Sequence, residues 1–168
     1  MSAKEQNRTD QYLVFRLAGD LYAIEVSRIQ EVLEYQNITK VPKTPAFMLG
    51  VINVRGGVIP VVDLRIKFEL EVTEVTVDTC IVVLEIPLQE DTVVIGIIAD
   101  AVDEVVTLPP EEIETTPSVG TSLDTRFIEG IGKLREHFVI ILQVEHIFTA
   151  EDIQSVDETV TREEQSEG

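Results

Sequence analysis

From residue 12 to residue 148 the chain sets short runs of valine, isoleucine and leucine between breaks of Gly, Pro, Asp and Asn. Apolar, β-branched runs closed by turn formers predict strands, here at the spacing of a sandwich or barrel. Strands are expected near Tyr12–Leu17, Leu21–Ile24, Met48–Val54, Val58–Val62, Thr79–Glu85, Thr92–Ala99, Gly130–Leu134 and Phe138–Leu142. Helical pieces are expected to be short, at Val26–Gln30, Leu64–Phe68 and Val144–Phe148. Asp63 stands where an N-cap would serve the second of these.

The pattern repeats. Without a gap, Gly50–Phe68 falls on Gly130–Phe148, so that Gly50, Arg55 and Phe68 meet Gly130, Arg135 and Phe148. Upstream, IEVSRIQEV (Ile24–Val32) falls on IIADAVDEV (Ile97–Val105), placing Ile29 on Val102 and Glu31 on Glu104. Each half reads as a hairpin, a short connection, an "EV" strand and a second hairpin. Two similar β subdomains are expected over residues 11–150, a better fit than one large sheet.

The stretch GVINVRGGVIPVVDLR (Gly50–Arg65) predicts a hairpin turning at Gly56-Gly57. Arg55 then pairs with Val58, and Ile52, Val54, Ile59 and Val61 share the core face. The opposite face holds Val51, Asn53, Arg55, Val58, Pro60 and Val62, too apolar for water and too polar for a sealed core. Arg55 either lies over the valines with its head in water or belongs to a surface that meets a partner. Val26, Ile29 and Val32 form a second apolar line at intervals of three. Together with Val102 they could edge a groove for an amphipathic helix, or they could be filled in by the two halves packing together.

Composition narrows the partners. With 13 basic and 31 acidic residues among 168, the formal charge is −18. Nucleic acid requires a basic footprint, and anionic lipid likewise repels such a chain. No run approaches a membrane span and MSAKEQNRTD carries no signal core, which with a single cysteine, Cys80, predicts the cytoplasm. Residues 1–10 are expected to be loose. Residues 151–168, with seven acids against one arginine, are expected to be frayed helix or disorder.

No catalytic pattern emerges. Cys80 opens an apolar strand, His137 is expected in a turn and His146 on a helix surface, without a nucleophile–base arrangement. No zinc or EF-hand spacing is present, and neither metal nor cofactor is expected. GIGK (Gly130–Lys133) lacks the spacing of a phosphate loop and reads as strand. Glu111-Glu112 and Glu163-Glu164 read as solvated charge.

EVL at Glu31–Leu33, followed by VPKTPAFMLGVINVRGGVIPVVDLR at Val41–Arg65, resembles the CheW family of chemotaxis coupling proteins. Weaker echoes run through Val94–Val105 and Gly130–Leu134, and the resemblance spans Gln11 to Phe148. Val54 stands where leucine is common, and the acidic tail is not a family requirement. The resemblance implies an all-β fold of two SH3-like five-stranded barrels packed about a shared hydrophobic core. It implies a non-enzymatic adaptor joining the cytoplasmic helical hairpin of chemoreceptors to the regulatory domain of the histidine kinase CheA, recruited to receptor clusters at the membrane. A receptor groove is then expected at Val26, Ile29, Glu31, Val32 and Val102, beside a hallmark hairpin of Gly50, Asn53, Arg55 and Gly56, with Arg55 paired to Glu31. Two alternatives stand beside this one: a coupling protein of another receptor–kinase pathway such as surface motility, and a small-molecule sensor using the seam as its pocket. The absence of a receiver or ATP-binding segment argues against the kinase itself.

Overall fold

The computed structural model describes residues 10–88, 91–114, 125–149 and 152. The expectations for residues 1–9 and 153–168 and for Glu163-Glu164 lie outside the described residues. The described strands are β1 (Gln11–Leu17), β2 (Asp20–Glu25), β3 (Ile29–Glu34), β4 (Met48–Val54), β5 (Gly57–Val62), β6 (Cys80–Leu88), β7 (Asp91–Ala99), β8 (Ala101–Thr107), β9 (Ile113–Glu114), β10 (Ile128–Leu134) and β11 (His137–Leu142). A single α-helical turn, α1 (Leu64–Lys67), follows β5, and Asp63 caps it by accepting from the Arg65 amide.

One sheet runs β3-β6-β7-β5-β4 and the other β8-β1-β2-β11-β10-β9. The repeat maps β1 to β5 onto β6, β7, β8, β10 and β11, and this exchange turns the first order into the second. The repeat halves are nevertheless not the two sheets. The hairpin β6–β7 of the second half lies between β3 and β5 of the first, and the hairpin β1–β2 of the first half lies between β8 and β11 of the second. The links that carry the chain across are short: a 3-10 turn at Val26–Arg28 after β2, and Asp100 alone after β7. Each sheet is therefore completed by strands from the other half of the chain.

Burial follows the alternation. Along β6, Ile81 and Val83 line a cluster of their own sheet with Ile52, Val61 and Ile98. Val82, Leu84 and Ile86 point the other way into the largest cluster, which both sheets share with Phe15, Leu17 and Tyr22. Tyr12, Val14, Val139 and Ile141 belong to the third cluster, inside the second sheet. Each sheet thus carries an apolar cluster on both of its faces. The unbroken apolar run IVVL (Ile81–Leu84) marks a strand buried on both faces.

Two expectations shift. Helix was expected through Gln30, but β3 begins at Ile29, because pairing with β6 satisfies the backbone that one helical turn would leave open. The hairpin turns at Arg55-Gly56 rather than Gly56-Gly57: Val54 pairs with Gly57 and Ile52 with Ile59. Both turn residues have positive φ, +50° and +83°, as a primed two-residue turn requires. Each pair moves by two residues in total, so side-chain parity, and hence the core face, is as expected.

Candidate functional site

The hairpin residues hold the first barrel together. β3 and β4 are the two edges of their sheet. Past β3 the chain swings back, and Thr39 bridges to Val51 through two 2.9 Å backbone bonds. That crossing runs directly over Gly50: a Cβ there would lie 2.1 Å from the Thr39 carbonyl oxygen. Asn53 Oδ1 accepts from the Gly56 amide at 3.1 Å and fixes the turn. Gly56 supplies the second positive φ.

Arg55 occupies the tip and donates both terminal nitrogens to the two carboxylate oxygens of Glu31 on β3, with Nη1 3.2 Å from Oε1. Its hydrogen bond and attraction to that carboxylate hold the guanidinium above its ordinary pKa. The pair spans the seam between the sheet's edges and leaves the Arg55 side chain 69% exposed. The second barrel repeats the clasp and the crossing, with Lys133 and Glu136 standing where Asn53 and Gly56 shape the first turn. Arg135 binds Glu104 of β8 through both nitrogens at 3.1 and 3.2 Å. Glu114 of β9 pairs with Ile131 of β10, and Gly130 lies beneath that crossing.

The expected groove residues divide. Ile29 and Val102 come from opposite sheets and are half-buried, each packed against the shared cluster. Val26 is half-buried in the 3-10 turn, and Glu31 is held by Arg55. Val32 remains open to solvent at 44%, and so does Val105, its counterpart in the repeat, at 53%. Val32 pairs with the shared-cluster residue Val82, and Val105 with Leu13, so each extends the shared apolar face past its covered part. Val105 was absent from the expected set although the alignment of IEVSRIQEV with IIADAVDEV already placed it on Val32. Near the seam the described cavity is a polar crevice of about 130 Å³, crossed by the 2.5 Å Arg28–Glu145 pair and lined by Glu25 and Glu129.

One buried network was not anticipated. Arg65, 5% exposed, binds Asp63 through Nε and Nη2 at 2.9 Å and Asp100 through Nη1 at 2.7 Å. Asp100 also accepts from the Ala18 amide at 2.8 Å, tying α1 to the β1–β2 turn and to the crossover between sheets. The signal lay in VVDLR, where a capping aspartate is followed two residues later by arginine inside an apolar run. Cys80 is half-buried, and burial pushes its thiol upward, as in a structural cysteine. His137 starts β11 rather than occupying the turn, and His146 lies exposed on a 3-10 turn. Among the described residues no group of three His, Cys, Asp or Glu could hold a metal ion, and no described helix is long and apolar enough to cross a membrane.

Two interlocked SH3-like barrels, each clasped by an arginine–glutamate pair and sharing one core, define a paired-barrel module. By its sequence the chain belongs to the CheW-like domain family, whose model matches residues 11–152. It is 32% identical over 147 residues to the chemotaxis protein CheW of Klebsiella aerogenes, covering 88% of this chain and 86% of that one. To the Bacillus subtilis chemotaxis protein CheW it is 33% identical over 147 residues, covering 87% and 91%. Among solved structures, the scaffolding protein TtCheW from Thermoanaerobacter tengcongensis superposes with a TM-score of 0.75 at 37% identity, covering 84% of this chain and 89% of that one.

Proposed function

We propose that this chain is a non-enzymatic chemotaxis scaffold that couples the cytoplasmic helical hairpin of chemoreceptors to the regulatory domain of the histidine kinase CheA. It works in the cytoplasm, recruited to receptor clusters at the membrane. Family membership supports the scaffold role. The observation that carries the receptor contact is the pair of valines, Val32 and Val105, left uncovered at equivalent positions of the shared apolar face. A helix with an apolar stripe would cover such a face. In this reading Ile29 and Val102, packed on the shared cluster, and the half-buried Val26 back the valines, while Glu31 and Arg55 hold the rim. The hallmark residues Gly50, Asn53 and Gly56 serve the site by shaping the hairpin that carries Arg55.

The test is co-sedimentation and calorimetry with a receptor-tip fragment. Val32→Asp and Val105→Asp alter exposed side chains and should leave the thermal transition in place while abolishing receptor binding. Undiminished binding by both variants would refute this surface. Ile29→Asp is the poorer probe, since Ile29 packs on the shared cluster and a charge there attacks the fold itself.

A further inference from the structure

Between α1 and β6 the chain runs ELEVTEVTVDT (Glu69–Thr79), a β-branched sequence that forms no strand. Val72 is 52% exposed, Val75 53% and Val77 fully exposed. Single exposed valines are ordinary on a protein surface; three within six residues of one loop make a patch.

The loop is also held in shape. Leu70 packs against the shared core. The Thr73 carbonyl and hydroxyl accept from Arg65 Nη1 at 3.2 and 3.3 Å, and the hydroxyl donates to Asp100 at 3.2 Å. Thr76 and Thr79 lock the far end: the Thr76 amide donates to Thr79 Oγ1 at 2.9 Å, and the Asp78 amide to Thr76 Oγ1 at 3.1 Å. Thr79 itself is buried at 5%. Leu70 and Thr79 are anchored inward, Thr73 and Thr76 pin the loop through surface hydrogen bonds, and the valines between them stand open to solvent. A pre-ordered loop spares a partner the entropic penalty of fixing it.

We propose that residues 69–79 form a pre-built docking ridge for a globular protein domain whose apolar pocket is rimmed by lysine and arginine. Charge selects the basic rim, because Glu69, Glu71, Glu74 and Asp78 flank the valines with no basic residue among them. A second copy of this chain, with a net charge of −18, would be repelled. Shape selects a pocket: a convex loop needs a concave partner, which the rod of a receptor hairpin does not offer and a folded domain does. The inference rests on the adaptor reading, and of that reading's two partners it assigns the ridge to the kinase regulatory domain.

The experiment titrates the full chain with the purified regulatory domain and, separately, with the receptor-tip fragment, at low and raised salt. Val72→Ser, Val75→Ser and Val77→Ser combined should weaken the kinase contact by about tenfold or more and leave the receptor contact within twofold. Glu71→Lys with Glu74→Lys should weaken it as well and flatten its salt dependence. Retained circular dichroism checks that these surface changes leave the fold intact. Kinase binding within twofold of the parent in the triple-serine chain overturns the ridge and spares the adaptor reading. Failure of the parent chain to bind the regulatory domain at all overturns both, and equal loss of the two contacts overturns the assignment to the kinase.

Discussion

Arg55, at the tip beyond one edge strand, grips Glu31 on the opposite edge strand of the same sheet, and Arg135 grips Glu104 across the matching gap of the other. Edge strands carry unpaired backbone groups, and an open seam between two of them is where a small barrel loosens first. The arginine thus acts first on the barrel and through it on the surface that Val32 presents. Because the pair is solvent-exposed, its worth is modest and falls with salt. The Arg55→Ala chain should stay folded, with amide exchange across Ile29–Glu34 raised about threefold at low salt. The exchanged pair, Arg55→Glu with Glu31→Arg, should recover most of that protection. Exchange in β3 that is indifferent to Arg55 would remove the clasp.

The glycines under the two crossings separate backbone from side-chain clashes. At Gly50 an added Cβ meets a carbonyl oxygen and carbon of Thr39, at 2.1 and 2.7 Å, which cannot turn aside. At Gly130 the nearest atom is the Ile113 methyl at 2.4 Å, with the Glu114 oxygen at 3.0 Å. Urea titration should show Gly50→Ala losing about 3 kcal/mol or more, and Gly130→Ala visibly less.

The second barrel's hairpin tip carries a strain that the first avoids. Glu136, at φ +97°, occupies the turn position that Gly56 fills at +83°. A side chain in that region has a cost that glycine escapes. Glu136→Gly should stabilise the chain by about 1 kcal/mol in the same titration, and a loss of stability would show that the turn stores no such strain.

The strands were legible because their apolar runs face two cores at once, and the repeat exposed equivalent residues such as Arg55 and Arg135. What the sequence left open were outcomes of tertiary pairing. The hairpin register slipped because GG competes with RG for one turn, and the choice between them falls to the pairing of Ile52 with Ile59 and to the Asn53 bond to the Gly56 amide. The helical expectation for Val26–Gln30 held only to Arg28, because a three-residue spacing also fits a 3-10 turn running into a bulged strand, where Ile29 and Glu31 straddle the register shift. The strand exchange was invisible, since an internal repeat fixes equivalence between halves but not which half supplies a neighbour. Val32 and Ile29 look alike in the pattern, and only the structure separates the open valine from the packed isoleucine.

Arg65 turns the same logic toward stability. Its guanidinium is buried and its pKa is held up, chiefly by the hydrogen bonds to Asp63, against the opposing pull of burial. Removing a buried partner strands the remaining charges. Arg65→Ala should therefore lose about 3 kcal/mol or more, and Lys in its place should recover little, because one ammonium cannot hold both Asp63 oxygens and Asp100. Thermal denaturation of the two variants measures this, and near-parental stability of Arg65→Lys would show that charge alone suffices.

Tyr22 supplies a pH dependence with a definite sign. Its ring is 2% exposed in the shared core, beside Phe15 with centroids 6.3 Å apart. Burial first, and then the nearby Asp20 charge, push its hydroxyl from 10.0 up to about 12. The folded chain thus holds the phenolic proton more tightly than the unfolded chain does. Its contribution is complete below pH 10 and fades as pH climbs from there toward 12, where the unfolded tyrosine ionises and the buried one resists. With allowance for solvent screening, the loss is on the order of 1 kcal/mol. Denaturation midpoints between pH 9 and 12 should fall less for Tyr22→Phe than for the parent chain, and parallel curves would show that the buried hydroxyl carries none of the alkaline instability.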